Sequence, residues 1–189
     1  MTPIKLVILD RDGTINHDSL DFIKTASEWV PLPGALEAIA RLNHAGWHVV
    51  VASNQSGLGR GLFEVSDLND IHAKMHTMLA AVGGRIDAVF YCPHAPTEEC
   101  RCRKPSPGLF EQISDRYGFG LKGVPTVGDS ARDLAAGVAT GCEPHLVLTG
   151  KAAGLGSQPL PAEYPAHTQV HENLSAFVDA LLGADTAVS

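Results

Sequence analysis

The chain has 189 residues, enough for one sizeable domain at roughly 100–200 residues per domain. It is 44% hydrophobic and 19% charged, a soluble globular balance, and it holds no apolar run of the ~20 residues that a membrane span needs. Lys and Arg number 14 against 21 Asp and Glu, a net charge of −7, which argues against partners recognised through a broad positive surface such as nucleic acid or an anionic membrane.

The N-terminus, Met1-Thr2-Pro3-Ile4-Lys5, shows no basic segment ahead of an apolar run, so the expectation is a cytoplasmic, monomeric protein with one domain over 1–189. Lys5 to Leu9 reads as a buried parallel strand because it is almost continuously apolar. A helix opens at Pro33-Gly34, carries Leu36, Ile39, Ala40 and Leu42, and closes at Gly46. His48 to Ala52 is a second strand, and Asn54 to Gly61 a glycine-rich loop. Ser66 is placed to cap a helix whose stripe is Leu68, Ile71, Met75, Met78, Leu79 and Val82.

A third strand is expected over Ile86–Tyr91, then a loop bearing Cys92, Cys100 and Cys102. A helix over Gly108–Tyr117, a strand over Pro125–Val127, a helix over Ala131–Ala139 and a fifth strand over His145–Leu148 follow. Gly150 to Pro165 reads as surface loop, Asn173 to Leu182 as the last helix, and the small-residue tail 183–189 as frayed. This alternation predicts an α/β fold: a Rossmann-like, three-layer α/β/α parallel sheet without a large cap domain.

In such sheets ligands bind at the carboxyl ends of the strands. Asp10-Arg11-Asp12-Gly13-Thr14, Ser53-Asn54, Lys104 and Gly128-Asp129-Ser130 follow successive strands and should meet at one edge. Asp10, Asp12 and Asp129 would repel one another without a cation, and hard oxygen ligands with room for water or phosphate suit Mg²⁺. A carboxylate can attack phosphorus, a second one can move protons, and Lys104 with the Ser53 hydroxyl can hold phosphoryl oxygens.

With Asp133 added, this ordered set resembles the haloacid dehalogenase-like (HAD) phosphohydrolase superfamily over residues 4 to about 150. The resemblance implies Asp10 as nucleophile, Asp12 as general acid and base, and Mg²⁺ held by Asp10, the Asp12 main-chain carbonyl and Asp129. It also implies Ser53 and Lys104 as grips on the transferred group. Asp133 either orients this shell or pairs with Ser130 as a helix cap.

Cys92, His94, Cys100 and Cys102 supply three thiolates and an imidazole within eleven residues, a closed structural zinc set in a loop over 92–104. Bound Zn²⁺ would fold the loop that delivers Arg103 and Lys104. Cys92-Pro93-His94 and Cys100-x-Cys102-Arg103-Lys104-Pro105, with Asn54-Gln55-Ser56-Gly57 and Arg60-Gly61, narrow the resemblance to one branch. These are the D-glycero-D-manno-heptose 1,7-bisphosphate 7-phosphatases, relatives of the histidinol-phosphate phosphatases.

That branch implies a small sugar bisphosphate as substrate, in ADP- or GDP-heptose (lipopolysaccharide-type) biosynthesis. Its substrate contacts would be Asp18, Ser19, Leu20, Asp21, Asn54, Gln55, Ser56 and Ser130, with Arg103 at the non-reacting phosphate. Ser130 stands where the branch often has Lys, and Leu20-Asp21 where it often has Gly-Tyr. The alternatives are a histidinol-phosphate phosphatase and a non-catalytic zinc module.

Other features get structural readings. His72 and His76, four apart, read as a solvated helix face; Gly57, Gly59 and Gly61 as allowing backbone approach to substrate; Cys142, Trp29 and Trp47 as packing residues.

Overall fold

The computed structural model describes residues 4–156 and 159–187. Six parallel strands form one sheet in the order β3-β2-β1-β4-β5-β6: β1 (Lys5–Leu9), β2 (Trp47–Asn54), β3 (Ala88–Cys92), β4 (Pro125–Gly128), β5 (Glu143–Val147) and β6 (Gln169–His171). The helices are α1 (Ala35–His44), α2 (Ser56–Gly59), α3 (Val65–Ala81), α4 (Gly108–Tyr117), α5 (Ala131–Val138) and α6 (Leu174–Ala187).

The apolar run of β1 divides between two layers, as the two-residue period of a strand requires. Val7 and Leu9 pack with Ile39 and Leu42 of α1, Ile71, Met75 and Leu79 of α3, and Phe177 and Val178 of α6. Leu6 and Ile8 pack with Leu109, Phe110 and Ile113 of α4 and Ala136 of α5. Both faces are therefore covered, and β1 sits in the middle. Successive strands run outward from β1 through β2 to β3, then restart on its other side with β4. The crevice at that reversal lies outside the carboxyl ends of β1 and β4, where open α/β sheets hold ligands.

Trp29, Trp47 and Cys142 are core residues as expected. Several local expectations are corrected. β6 extends the sheet at the edge of β5; with one apolar residue in three, Val170, it carries no strand periodicity. The glycine-rich loop contains α2. The N-cap of α3 is Glu64, whose backbone N–H donates to Asp67 Oδ2 at 2.8 Å, so Ser66 lies inside the first turn. Val82 ends that helix in solvent. The stretch after β5 is partly buried: Leu155, Leu160 and Tyr164 pack on Leu134, Leu146 and Ala152. The tail is helical through Ala187, while the rest of it, 188–189, lies outside the described residues. Among the described residues no helix is long and apolar enough to cross a membrane.

Candidate active site

Asp10 follows β1, Asp129 follows β4 and Asp133 sits in the first turn of α5, so the strand ends bring three carboxylates together. One oxygen from each lies within 4.8 Å of the others, and all three residues are buried. Lys104 answers them, its Nζ donating to Asp10 Oδ1 and Asp133 Oδ1 at 2.8 Å each and to the Ala52 carbonyl at 2.6 Å. Three carboxylates against one ammonium leave a charge of 1 − 3 = −2 in the cluster.

The titration behaviour reports that imbalance. Burial, then Asp133, raises Asp10 to about 6 against the pull of Lys104. Burial, then Asp10 and Asp133, pushes Asp129 up to about 8. Burial works the same way on Asp133, but Lys104 and Ser130 outweigh it and hold that carboxyl below its ordinary value.

Asp129 is gripped from two sides. Its Oδ2 accepts the Lys151 backbone N–H at 2.7 Å, and a Cβ at Gly13 or at Gly150 would lie 2.1 Å from that same oxygen. Both glycines have positive φ, so no other residue fits either place without strain. Asp129 Oδ1, by contrast, is buried with no hydrogen-bond partner. An orphaned carboxylate oxygen, hard donors and a residual −2 fit a divalent cation of the Mg²⁺ class. Asp10, Asp129 and Asp133 together could hold it, with the two oxygens of Asp133 already engaged by Lys104 and Ser130.

Asp12 has a different environment. Its Oδ1 accepts from Arg11 Nε and Asn16 Nδ2 at 2.9 Å each, and its Oδ2 from Arg11 Nη2 and Gln55 Nε2 at 3.1 Å each. Burial would raise this carboxyl, but the Arg11 guanidinium and the Asn16 and Gln55 hydrogen bonds outweigh it and hold Asp12 ionised. Gln55 also donates to Ser53 Oγ at 2.8 Å, which ties the second strand end to the first.

These side chains open on a cavity of about 260 Å³ lined by Asp10, Asp12, Ser53, Asn54, Gln55, Ser56, Arg103 and Lys104, as the sequence suggests. Asp18, Ser19 and Leu20 line it too, with Leu20 fully exposed at the mouth. Asp21 does not; it faces a neighbouring groove, where its carbonyl accepts from Lys24 Nζ at 2.7 Å. Ser130 is also turned away from the cavity, its hydroxyl donating to Asp133 Oδ2 at 2.5 Å. That bond joins two side chains, so Ser130 positions Asp133 rather than capping α5 with its hydroxyl. The Asn54 amide is spent on Lys104, accepting from its N–H and donating to its carbonyl at 3.0 Å each.

Three cations at the cavity escaped the sequence reading as site residues. Arg60, Arg132 and Lys151 join Arg103 and Lys104 there, and Lys151 Nζ is paired with Asp18. Arg103 Nη1 and Arg132 Nε are buried without partners. Burial, then Arg132, lowers Arg103, so these guanidinium groups crowd one another as they would around an anion. Arg60 lies in the Arg60-Gly61 stretch of the resemblance, while no local motif marks Arg132 or Lys151; the three come from different elements and the fold brings them together.

Two further expectations change. His72 is not on a solvated face: its Nε2 lies 3.1 Å from Arg11 Nη1. Gly57 and Gly59 approach their own chain rather than substrate, since a Cβ would lie 2.3 Å from the Phe63 ring in one case and 2.6 Å from Ala95 N in the other.

In the loop after β3, the donor atoms of Cys92, His94, Cys100 and Cys102 all lie within 4.8 Å of one another. Cys92 Sγ is 3.1 Å from Cys102 Sγ and 3.7 Å from Cys100 Sγ, too far for disulfides and near the about 3.8 Å edge of a tetrahedron with Zn–S of about 2.3 Å. His94 presents Nδ1, 3.2 Å from Cys102 Sγ. The donor set fits a closed zinc site.

A family model described as HAD-hydrolase-like matches residues 101–176. The chain is 52% identical over 179 residues to the D-glycero-beta-D-manno-heptose-1,7-bisphosphate 7-phosphatase of Bordetella bronchiseptica, covering 95% of this chain and 98% of that protein. It is 48% identical to the protein of the same name from Pseudomonas aeruginosa, covering 94% of this chain and 97% of the relative. The crystal structure of the B. bronchiseptica D,D-heptose 1,7-bisphosphate phosphatase, complexed with magnesium and phosphate, superposes with a TM-score of 0.91 over 96% of this chain and 99% of that one, at 52% identity.

Proposed function

The chain belongs to the D-glycero-beta-D-manno-heptose-1,7-bisphosphate 7-phosphatases, HAD-like phosphoric monoester hydrolases, and from that premise we propose that it removes the C7 phosphate of the heptose bisphosphate through a phosphoaspartate on Asp10. The observation that carries this reading is the buried Asp10–Asp129–Asp133 cluster, balanced by Lys104 to a residual −2 beside a cavity rich in guanidinium groups.

Asp12 first takes a proton from the bound phosphate monoester; Asp10 then attacks phosphorus, the bond from phosphorus to the C7 oxygen breaks, and that oxygen takes the proton from Asp12. Water attacks the phosphoaspartate and gives a proton to Asp12, which passes it to the departing phosphate, restoring both aspartates in their ionised form. The ionised Asp12 held by Arg11, Asn16 and Gln55 is the form that takes this proton. Ser53 grips the transferred phosphoryl oxygens from the cavity wall, and the Lys104 ammonium, held by Asp10, Asp133 and the Ala52 carbonyl, lends its positive charge beside them. Mg²⁺, when bound by Asp10, Asp129 and the Asp12 main-chain carbonyl with Asp133 beside it, neutralises the phosphate charge and orients it for attack.

Arg60, Arg103 and Arg132 receive the phosphate that does not react, which supports a bisphosphate over histidinol phosphate, whose other end is cationic. The structural metal in the Cys₃His loop is read as zinc, and the setting as cytoplasmic synthesis of lipopolysaccharide-type glycans; the free cysteines suit a reducing compartment. The test is phosphate release with Mg²⁺ from heptose 1,7-bisphosphate and from histidinol phosphate. A kcat/KM about 100-fold or more in favour of the heptose is expected, and equal or reversed values overturn the substrate assignment.

A further inference from the structure

Arg11 lies between the two aspartates of the proposed reaction, and its side chain is wholly buried. A buried guanidinium needs partners for its donors, because an unmet charge inside a protein is strongly destabilising. Two of its nitrogens, Nε and Nη2, fork onto Asp12, and the third, Nη1, meets Nε2 of His72 at 3.1 Å across 61 residues of sequence. Adjacent residues such as Arg11 and Asp12 hold each other only loosely, since both ride on the same loop after β1. His72 ties that loop's guanidinium to a different element: its neighbour Ile71 is anchored in the core with Met75 and Leu79, so α3 is a fixed support.

His72 is neutral at pH 7, because burial and then the Arg11 charge push it down to about 4. Its Nε2 therefore offers a lone pair to Nη1, with the ring proton on Nδ1. From this geometry we propose that His72 is a positioning residue for the phosphatase reaction: it anchors Arg11 from α3 so that the guanidinium fork holds the Asp12 carboxylate in the orientation proton transfer needs. The proposal rests on the reading of Asp12 as the proton-transfer group.

The test compares His72→Phe, which keeps ring volume but has no acceptor, with His72→Gln, whose amide oxygen can accept from Arg11. With heptose 1,7-bisphosphate and Mg²⁺, His72→Phe is expected to lower kcat roughly tenfold while KM stays within about twofold, since misorientation of a catalytic group acts on the chemical step. The melting temperature of His72→Phe should fall by several degrees, because Arg11 Nη1 loses its partner, and His72→Gln should recover most of that loss and of the lost kcat. Parental kcat in His72→Phe, or a His72→Gln no better than His72→Phe, overturns the proposal. If His72→Phe does not fold, His72→Leu takes its place under the same criteria. Asp12→Asn separates the two layers of the argument. Parental kcat in Asp12→Asn overturns the reading of Asp12 and the role of His72 with it. An inactive Asp12→Asn beside an unaffected His72→Phe overturns the role of His72 alone.

Discussion

The carboxylate cluster at the sheet edge and the thiolate cluster at the end of β3 could each hold a metal ion, yet they are built in opposite ways. Asp10 and Asp129 stand more than 100 residues apart and are brought together by β1 and β4, whose neighbours are core residues. The four Cys and His donors span eleven residues, from Cys92 at the end of β3 into the loop before α4. In the first case the fold forces like charges together and a cation relieves them. In the second a bound cation would reinforce a loop that is already held by hydrogen bonds of its own, such as Gly59 N–H to the Pro93 carbonyl and Gly108 N–H to the Arg101 carbonyl. Metal removal should therefore leave a folded but electrostatically strained site at one place and a loosened loop at the other.

The largest effect that probes this contrast is Asp10→Asn, expected to lower kcat by at least about 10⁴-fold with the fold retained, because the nucleophile is gone and the sheet is not. Single-turnover phosphate release checks it, and normal turnover would break the phosphoaspartate reading. Next, Cys102→Ser should abolish stoichiometric zinc and lower kcat by about 100-fold, since Lys104 rides on the loop the metal reinforces. Elemental analysis beside the rate decides it, and full activity in zinc-free protein would remove the loop from the mechanism.

The acid cluster also predicts a pH signature. Asp10 and Asp129 have values raised to about 6 and about 8, so in protein without Mg²⁺ the stability these two groups contribute is complete near pH 4 and is lost as pH rises through those values. Saturating Mg²⁺ should flatten that slope and raise the melting temperature at pH 8 by several degrees (an estimate from mass action). Thermal melts over pH 5–8 with zinc retained check both. The smallest effect concerns a buried polar pair outside the metal sets. His145 Nδ1 and His171 Nε2 lie 3.0 Å apart under Phe177, and burial, then His171, lowers His145 to about 4. An unfolded histidine titrates near 6.5, so this pair's stabilisation is complete above that value and is lost as pH falls toward 4. His145→Leu should remove that acid slope, seen as a change of about 3–5 °C in melting temperature between pH 7 and pH 5.

Much of this contrast was legible in the sequence. Central strands announce themselves as unbroken apolar runs, and the acids follow them directly, so chain order alone puts Asp10 and Asp129 at one edge. Four metal ligands within one short loop are equally visible. The direction a side chain takes is not. Ser130 and Asp21 neighbour pocket residues in sequence, yet the Ser130 hydroxyl turns to Asp133 and Asp21 lines the groove beside Lys24. Arg132 and Lys151 reach the cavity from α5 and from the turn after β5, and Gly150 closes on Asp129 across the fold; none sits in a local pattern. His72 flanks an apolar stripe as solvent-facing histidines do, and only its distance to Arg11 tells it apart. β6 is too short and too polar to show a period.

The paired hydrogen bonds between the Asn54 amide and the Lys104 backbone seat the end of the loop on the second strand through main-chain atoms, and the Lys104 side chain runs on from that seat to Asp10 and Asp133. The loop is thus tied to the reacting centre at one residue. Exchanging residues 93–103 for those of a relative with another preference, with Lys104 kept, should therefore carry over that relative's grip on the distal phosphate and leave the aspartate presented by the sheet as reactive as before.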